Sequence, residues 1–240
     1  MSIKLRNGSV TEDIRLDRIE RFDERSRQFP VSYTWSKEKK KLRSYTWRCN
    51  EWLDQGKEGA CVGYGISHEL ASRPSEVQDL TNSYAKEQIY WEAQKIDPWE
   101  GGAYPGNSSF YEGTSVLAGV KIAQKLGWFD EYRWAFSLED LQLGVGHNGP
   151  AVMGLAWYQG MYQPDSKGYI KPTGKKVGGH CLLCNAISVK KERFTLHNSW
   201  GKSWGKNGEC YISFDDMDKL LKQRGEAVFF QHRHKIATIK

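Results

Sequence analysis

Apolar positions in the first half of the chain follow the helical period. After Cys61 they recur at that spacing until Pro74 ends the pattern, and the same spacing predicts a second helix from about Asn82 to Ala93. A third helix is predicted from Val116 to Leu126, capped by Thr114 or Ser115 and stopped at Gly127, and Ser137-Leu-Glu-Asp140 begins a short fourth helix. Helices therefore dominate this half.

The second half contains five segments that are typical of strands. The predicted strands are Pro150 to Tyr158, Gly179 to Val189, Arg193 to Ser199, Glu209 to Phe214 and Ala227 to His232, with one helix from Asp215 to Gln223. A run of helices followed by a run of strands predicts an α+β fold with a helical lobe, about residues 47–148, and a β lobe, about residues 149–240. Residues 1–46 are polar and charge-mixed, and we expect an irregular arm there.

Charge and hydropathy argue against nucleic-acid and membrane partners. The net charge is +6, and its basic runs, Lys37 to Lys41 and Arg233 to Lys235, are expected to be solvated because neither is interleaved with aromatic residues. No stretch has the roughly 18 apolar residues that cross a bilayer, and no apolar region follows Met1 to Arg6. We therefore expect no export signal and a cytoplasmic location.

The five cysteines form an odd set without a dense framework, which suits a reducing compartment and leaves a free thiol. Cys181 and Cys184 have the Cys-x-x-Cys spacing of some metal sites. Three steps along a strand, however, place their side chains on opposite faces. We expect neither a metal nor an organic cofactor.

Cys61 stands where a glycine-containing loop opens into a helix, so the helix N-terminus favours its thiolate. Gly178-Gly179-His180 begins one predicted strand, and His197-Asn198-Ser199-Trp200-Gly201 closes the next. An imidazole and an amide thus lie on neighbouring strands. Adjacent strand residues face opposite sides, so His197 is expected to face away if Asn198 faces the site.

The blocks Gln-Gly-x-x-x-x-Cys, Gly-His and Asn-Ser-Trp-Gly-x-x-Trp-Gly, in that order, resemble the papain family of cysteine peptidases. Their separation agrees with the roughly 130 to 150 residues between the family's Cys and its His and Asn, although His180 lies slightly nearer. The resemblance covers about Trp47 to Phe230. It implies the two-lobed papain-like fold with a barrel-like β lobe.

The resemblance also implies roles for individual residues. Cys61 is matched to the nucleophile, His180 to the general base and acid, and Asn198 to the amide that holds the imidazole. Gln55 is matched to the side-chain donor of the oxyanion hole, with the Cys61 N–H as the second donor. Trp200 is matched to the ring that shields the Asn198 to His180 hydrogen bond from water.

Three more residues are matched to substrate binding. Gly113 is matched to the glycine that pairs with the substrate backbone, while Ala151 and Cys181 are matched to the main specificity pocket. Their small side chains imply an apolar substrate residue two positions before the cleaved bond. The chain departs from the family signature at Glu58, which replaces a cysteine, and at Val62, which replaces an aromatic residue.

The expected activity is hydrolysis of peptide bonds in a peptide or protein substrate through a thioester on Cys61. The 1–46 arm is short for an inhibitory prosegment, and we expect it to dock on the protein's own surface or on a partner protein. Two alternatives stay open: a papain-like structural or interaction module with little catalysis, and a thiol hydrolase of isopeptide or peptidoglycan stem bonds. The short arm suggests a bacterial or phage gene product, and a virion location if the gene is of phage origin.

Overall fold

In the computed structural model, residues 2–35, 41–107 and 111–234 are described, so Lys37 to Lys40 and Lys235 of the two basic runs lie outside the described residues. Five α-helices and nine strands follow one another in this part of the chain. They are β1 (Ile3–Lys4), β2 (Val10–Thr11), β3 (Tyr45–Thr46), α1 (Cys61–Leu70), α2 (Glu92–Ile96), α3 (Val116–Lys125), β4 (Phe129–Trp134), α4 (Leu138–His147), β5 (Ala151–Tyr158), β6 (Lys176–Ser188), β7 (Arg193–His197), β8 (Glu209–Ser213), α5 (Phe214–Lys222) and β9 (Glu226–Arg233).

The predicted helix ends are confirmed where capping chemistry marked them. The Ser115 hydroxyl accepts from the Ala118 N–H at the start of α3, and Gly127 follows its end with φ +84°. Ser137 caps α4 in the same way, through the Asp140 N–H. The second helix differs from its prediction because it begins with a π-helical stretch, Tyr84–Trp91, before α2.

The strands form a seven-stranded antiparallel sheet in the order β4-β9-β5-β6-β7-β8, with β3 also paired to β6. Two of these strands, β3 and β4, precede residue 148, so helices and strands do not separate fully at that position. The arm is likewise not wholly irregular, because β1 and β2 pair within it. The division into lobes stays a prediction.

Two apolar clusters lie on opposite faces of the central sheet. One contains Met153, Leu155 and Trp157 of β5, and the other contains Val152 together with residues of α1 and α3. Helix α1 lies directly on β6, because a Cβ added at Gly65 would come within 2.8 Å of the Cys181 sulfur. This close approach brings the start of α1, with Cys61, beside the middle of β6.

Candidate active site

The imidazole of His180 is oriented by an amide from the end of the neighbouring strand. His180 Nε2 and Asn198 Oδ1 are 2.7 Å apart, and both residues are buried. The strand register explains why Asn198 lies near His180. Strands β6 and β7 pair antiparallel with Leu183 opposite His197, so the chain continues past the end of β7 toward His180. Nδ1 of His180 is buried and has no hydrogen-bond partner among the described residues.

Aromatic rings enclose this imidazole. The Trp200 ring centroid lies 5.0 Å from that of His180, and the Trp157 centroid lies 4.8 Å from it. Burial lowers the pKa of His180 to about 4, although the hydrogen bond with Asn198 acts in the opposite direction. The imidazole is therefore neutral at physiological pH, as a general base requires.

The Cys61 thiol is fully buried at the first residue of α1. Its sulfur lies 3.0 Å from Asp17 Oδ1 and accepts a hydrogen bond from the Cys181 N–H at 3.3 Å. The thiol therefore bonds to Asp17 rather than to His180. Burial raises the pKa of Cys61 well above its usual range, and the Asp17 carboxylate raises it further.

The two predicted oxyanion donors also point at oxygens of the N-terminal arm. The Cys61 N–H donates to Asp17 Oδ1 at 3.3 Å. Gln55 Nε2 donates to the Arg15 carbonyl at 3.4 Å and to the Glu58 carbonyl at 2.7 Å, while its Oε1 accepts from the Ser199 hydroxyl at 2.6 Å. The structure thus brings Gln55 and Cys61 together and fills the space between them with the arm.

The arm runs alongside the strand that carries His180. The Arg18 N–H donates to the Gly179 carbonyl at 3.1 Å, and the Ile19 N–H donates to the Thr114 carbonyl at 2.8 Å. Leu16, Asp17, Arg18 and Ile19 are all at most 4% exposed. The Arg15 guanidinium lies 4.3 Å from the Trp200 ring centroid, so the arm also covers the Trp200 ring beside His180.

A group of polar side chains behind Asp17 was not predicted from the sequence. The Tyr90 hydroxyl lies 2.8 Å from both Asp17 Oδ2 and Glu112 Oε2, and it accepts from Gln94 Nε2 and the Gly113 N–H. One hydroxyl hydrogen serves only one carboxylate, so the second contact is favourable when a carboxyl is protonated. Burial raises the pKa of Asp17 to about 6; burial and then the Asp17 charge raise that of Glu112 to about 7.

Gly113 makes no backbone-to-backbone hydrogen bond with the arm among the described residues. Its N–H donates to the Tyr90 hydroxyl, and its carbonyl accepts from the Gln94 and Arg6 side chains. The backbone of the arm bonds instead to the next residue, Thr114. Gly113 still leaves space for the arm, because an added Cβ would lie 2.7 Å from Ile19 Cδ1, and its φ is +106°. Pairing of Gly113 with a substrate stays a prediction.

Of the two predicted pocket residues, only Cys181 lies beside the cleft. Cys181 shares an apolar cluster with Cys61, while Ala151 packs in the cluster on the opposite face, where its cross-strand neighbour is Cys184. The prediction for Ala151 is wrong because one-residue alternation along β5 turns it away. Gly154, three residues later, lies opposite Cys181 on β6.

Other candidate chemistry is not found at this site. His197 contacts His68, with ring centroids 4.4 Å apart, and faces Glu209 rather than Cys61. No group of three or more His, Cys, Asp or Glu side chains suited to a metal ion occurs in the described part of the chain. Among residues 2–35, 41–107 and 111–234, no helix has the length and apolar character needed to cross a membrane.

The fold resembles those of solved cysteine proteases. The chain matches xylellain, a cysteine protease from Xylella fastidiosa, with a TM-score of 0.67 and 15% identity over 98% of both chains. It matches a digestive procathepsin L 3 from the larval midgut of Tenebrio molitor with a TM-score of 0.59 and 14% identity, over 90% of this chain and 76% of that one. The fold is that of the papain-like cysteine proteases. The predicted fold class is confirmed.

A sequence relative matches a smaller part of the chain. An uncharacterized peptidase C1-like protein of Acanthamoeba polyphaga mimivirus is 19% identical over 201 residues, which cover 65% of this chain. The chain spans 62% of the length of that relative. No family model matches the chain. The resemblance first seen in three short motifs therefore rests mainly on the three-dimensional fold.

Proposed function

We propose that the protein is a cysteine peptidase that hydrolyses peptide bonds through a thioester on Cys61. The observation that carries the proposal is the 2.7 Å contact between His180 and Asn198 beside the thiol at the start of α1. In this mechanism His180 takes the thiol proton and later gives it to the leaving amine, while Asn198 keeps the ring oriented. The Cys61 N–H and Gln55 Nε2 stabilise the oxyanion.

The arm blocks the site in the form described here. The Asp17 carboxylate accepts hydrogen bonds from the Cys61 thiol and from the Cys61 N–H. The Arg15 carbonyl accepts one of the hydrogen bonds that Gln55 Nε2 donates. Burial, and then the nearby Asp17 carboxylate, keep the thiol protonated, which is the unreactive state. Catalysis therefore requires the arm to move out of the cleft. The groove that the arm vacates can then hold an extended peptide.

The filled cleft also favours a second candidate, a papain-like module that binds partners without turnover. A site permanently closed by its own arm has no need of reactivity at Cys61. The two candidates differ in one observable: the peptidase opens its cleft on a practical timescale and the module does not.

Reaction of the reduced, folded chain with an epoxysuccinyl thiol-protease inhibitor tests the choice. A peptidase forms one covalent adduct, which mass spectrometry locates on Cys61 and which Cys61→Ala abolishes. Cys49→Ala is the matched control, because Cys49 is also buried and burial raises its pKa to about 11. Peptide cleavage lost in Cys61→Ala and kept in Cys49→Ala supports the peptidase. No adduct and equal background rates in all three chains support the module.

A further inference from the structure

Two buried histidines join the helix of Cys61 to the strand that ends before Asn198. The His68 and His197 ring centroids lie 4.4 Å apart at an interplanar angle of 74°, and both side chains are fully buried. His68 lies in α1, seven residues after Cys61. His197 is the last residue of β7 and directly precedes Asn198. The pair therefore connects two elements that carry groups of the candidate active site.

A third segment of the site is attached to the same pair. The Leu53 N–H donates to His68 Nε2 at 3.0 Å, and Gln55 follows two residues later. The Gln55 N–H in turn donates to the Ser199 carbonyl at 2.9 Å, which ties this loop to the residues that follow β7. The backbone segments that carry all the proposed catalytic groups except His180 thus meet at the two histidines.

Hydrogen bonds at the outer nitrogens determine where the two ring hydrogens lie. Because His68 Nε2 accepts the Leu53 N–H, the neutral ring has its hydrogen on Nδ1. His197 Nδ1 lies 3.4 Å from Glu209 Oε1, an oxygen that also accepts from Asn185 Nδ2 at 2.8 Å. The hydrogen of the His197 ring therefore belongs on Nδ1, and its Nε2 is left as an acceptor.

A third proton has no suitable place on this pair. On His197 Nε2 it would create an N–H without a hydrogen-bond partner among the described residues, since His68 Nδ1 already carries a hydrogen. On His68 Nε2 it would meet the Leu53 N–H, and that hydrogen bond would be lost. Burial, and then His197, lower the pKa of His68 well below its usual range. The fold therefore holds the neutral pair.

Titratable and charged groups come close to the pair from each element packed against it. They are Glu69 of α1, Cys49 and Glu51 of the segment before α1, Lys202 of the loop after β7 and Glu209 of β8, while β6 contributes the neutral Asn185. Glu69 bonds to Arg233 instead, and Glu209 contacts His197 rather than His68. Among the described residues, no carboxylate bonds to His68, so a charge on its ring is not offset.

We infer that His68 and His197 are a positioning pair for the candidate active site. While neutral, they hold the loop of Gln55 and the residues after β7 against α1, and an added proton breaks this link. The catalytic consequence rests on the proposed peptidase function. The link itself does not, because backbone hydrogen bonds can be followed without a substrate. The two parts are therefore tested separately.

The arrangement of the hydrogens is tested first, in the wild-type chain. With 15N-labelled histidine, NMR at neutral pH should show His68 and His197 as neutral rings that both carry their hydrogen on Nδ1, which is the less common form of free histidine. A hydrogen on Nε2 of either ring overturns the inference.

The link is tested by hydrogen exchange at the Leu53 and Gln55 amides. The opened form takes a proton that the closed form excludes, so protection should fall as pH decreases below about 6.5, the ordinary histidine value. Relative to His68→Gln, whose amide oxygen can accept the Leu53 N–H without titrating, the fall should reach up to about tenfold per pH unit. The matched control is His147→Gln, at the end of α4 beside the Lys41 carbonyl, which should behave as wild type. Equal pH profiles for wild type and His68→Gln overturn the inference.

The catalytic part compares kcat for a peptide substrate in chains that also carry Asp17→Asn. His68→Leu leaves the Leu53 N–H without its acceptor and should lower kcat by about tenfold or more with little change in KM. His68→Gln should retain kcat within about threefold, because it restores the acceptor. Equal kcat in His68→Leu and His68→Gln counts against positioning by this hydrogen bond. If His68→Leu does not fold, the exchange profiles of wild type and His68→Gln decide the inference. If no chain cleaves any peptide but those profiles differ as expected, the proposed function fails and the link stands.

Discussion

The Asp17 carboxylate lies 3.0 Å from the Cys61 thiol and accepts the Cys61 backbone N–H through the same oxygen. An acid in this position raises the thiol pKa and occupies the place where an oxyanion would form. The consequences can be measured in the intact chain.

Substitution Asp17→Asn should increase the reactivity of Cys61. Asparagine keeps the shape of the side chain but removes the charge that opposes the thiolate, and a pKa lower by one unit gives about tenfold more thiolate at fixed pH. The rate of alkylation of Cys61 by iodoacetamide, followed by mass spectrometry, should rise by about tenfold or more. Asp23→Asn, which changes an arm carboxylate that pairs with Arg25, should leave the rate unchanged. Equal rates for both variants would refute the role of Asp17.

Docking of the arm should weaken as pH rises from about 4 to about 7. The Asp17 and Glu112 pKa values are raised by burial, to about 6 and about 7, so the docked arm favours the protonated carboxyls. The stabilisation is complete below the pKa of the free carboxyls, about 4, and is lost as pH rises through the raised values. Nearby charges act on Glu112 as well: Glu58 raises its pKa and Lys86 lowers it.

Hydrogen exchange measures this effect at the Arg18 and Ile19 amides, which bond to Gly179 and Thr114. Their protection factors, corrected for intrinsic exchange, should fall by up to about tenfold per pH unit and per carboxyl across this range. Glu112→Gln should flatten the upper part of the transition, and Glu139→Gln in α4 should not. Protection that increases over the same range would reverse the sign and contradict the argument.

Much of the fold could be predicted because local signals marked it. The Ser115 and Ser137 caps, Gly127 and the strand-like composition of β5 to β9 are short-range features, and the helices and strands that they predicted occur. Strand β4 was missed because it is at the sheet edge, where Asp130, Glu131 and Arg133 interrupt its apolar pattern. An edge strand needs only one apolar face.

Only the site residues that belong to short sequence motifs could be predicted. Cys61, Gln55, His180 and Asn198 stand in recognisable blocks and lie together. Asp17, Arg18 and its ion-pair partner Glu226 have no such signal, because Asp17 and Arg18 belong to a charged stretch that looks solvated and Glu226 is 208 positions from Arg18. Only the tertiary fold makes them neighbours.

Substitution Asn198→Ala should lower kcat strongly. Removing the amide frees the imidazole to rotate, so we expect kcat to fall by on the order of a hundredfold with little change in KM. The measurement is made in the Asp17→Asn chain, where the thiol is predicted to be reactive. Asn148→Ala, which removes an amide that bonds to Thr34 and Trp35 far from His180, should change kcat little. Comparable losses in both variants would indicate a general structural effect.

Substitution Arg233→Met should destabilise the protein strongly. Arg233 donates to Glu69 Oε1 at 2.8 and 2.5 Å, and the Glu69 side chain is fully buried. Burial raises the Glu69 pKa, and Arg233 opposes this, so loss of the guanidinium leaves a carboxylate without its partner. We expect the free energy of unfolding to fall by about 3 to 5 kcal/mol, measured by urea denaturation. Arg224→Met is the matched control: its ion pair with Glu20 is exposed, and it should change the free energy by less than about 1 kcal/mol. Similar losses in the two variants would show that burial of Glu69 does not govern the effect.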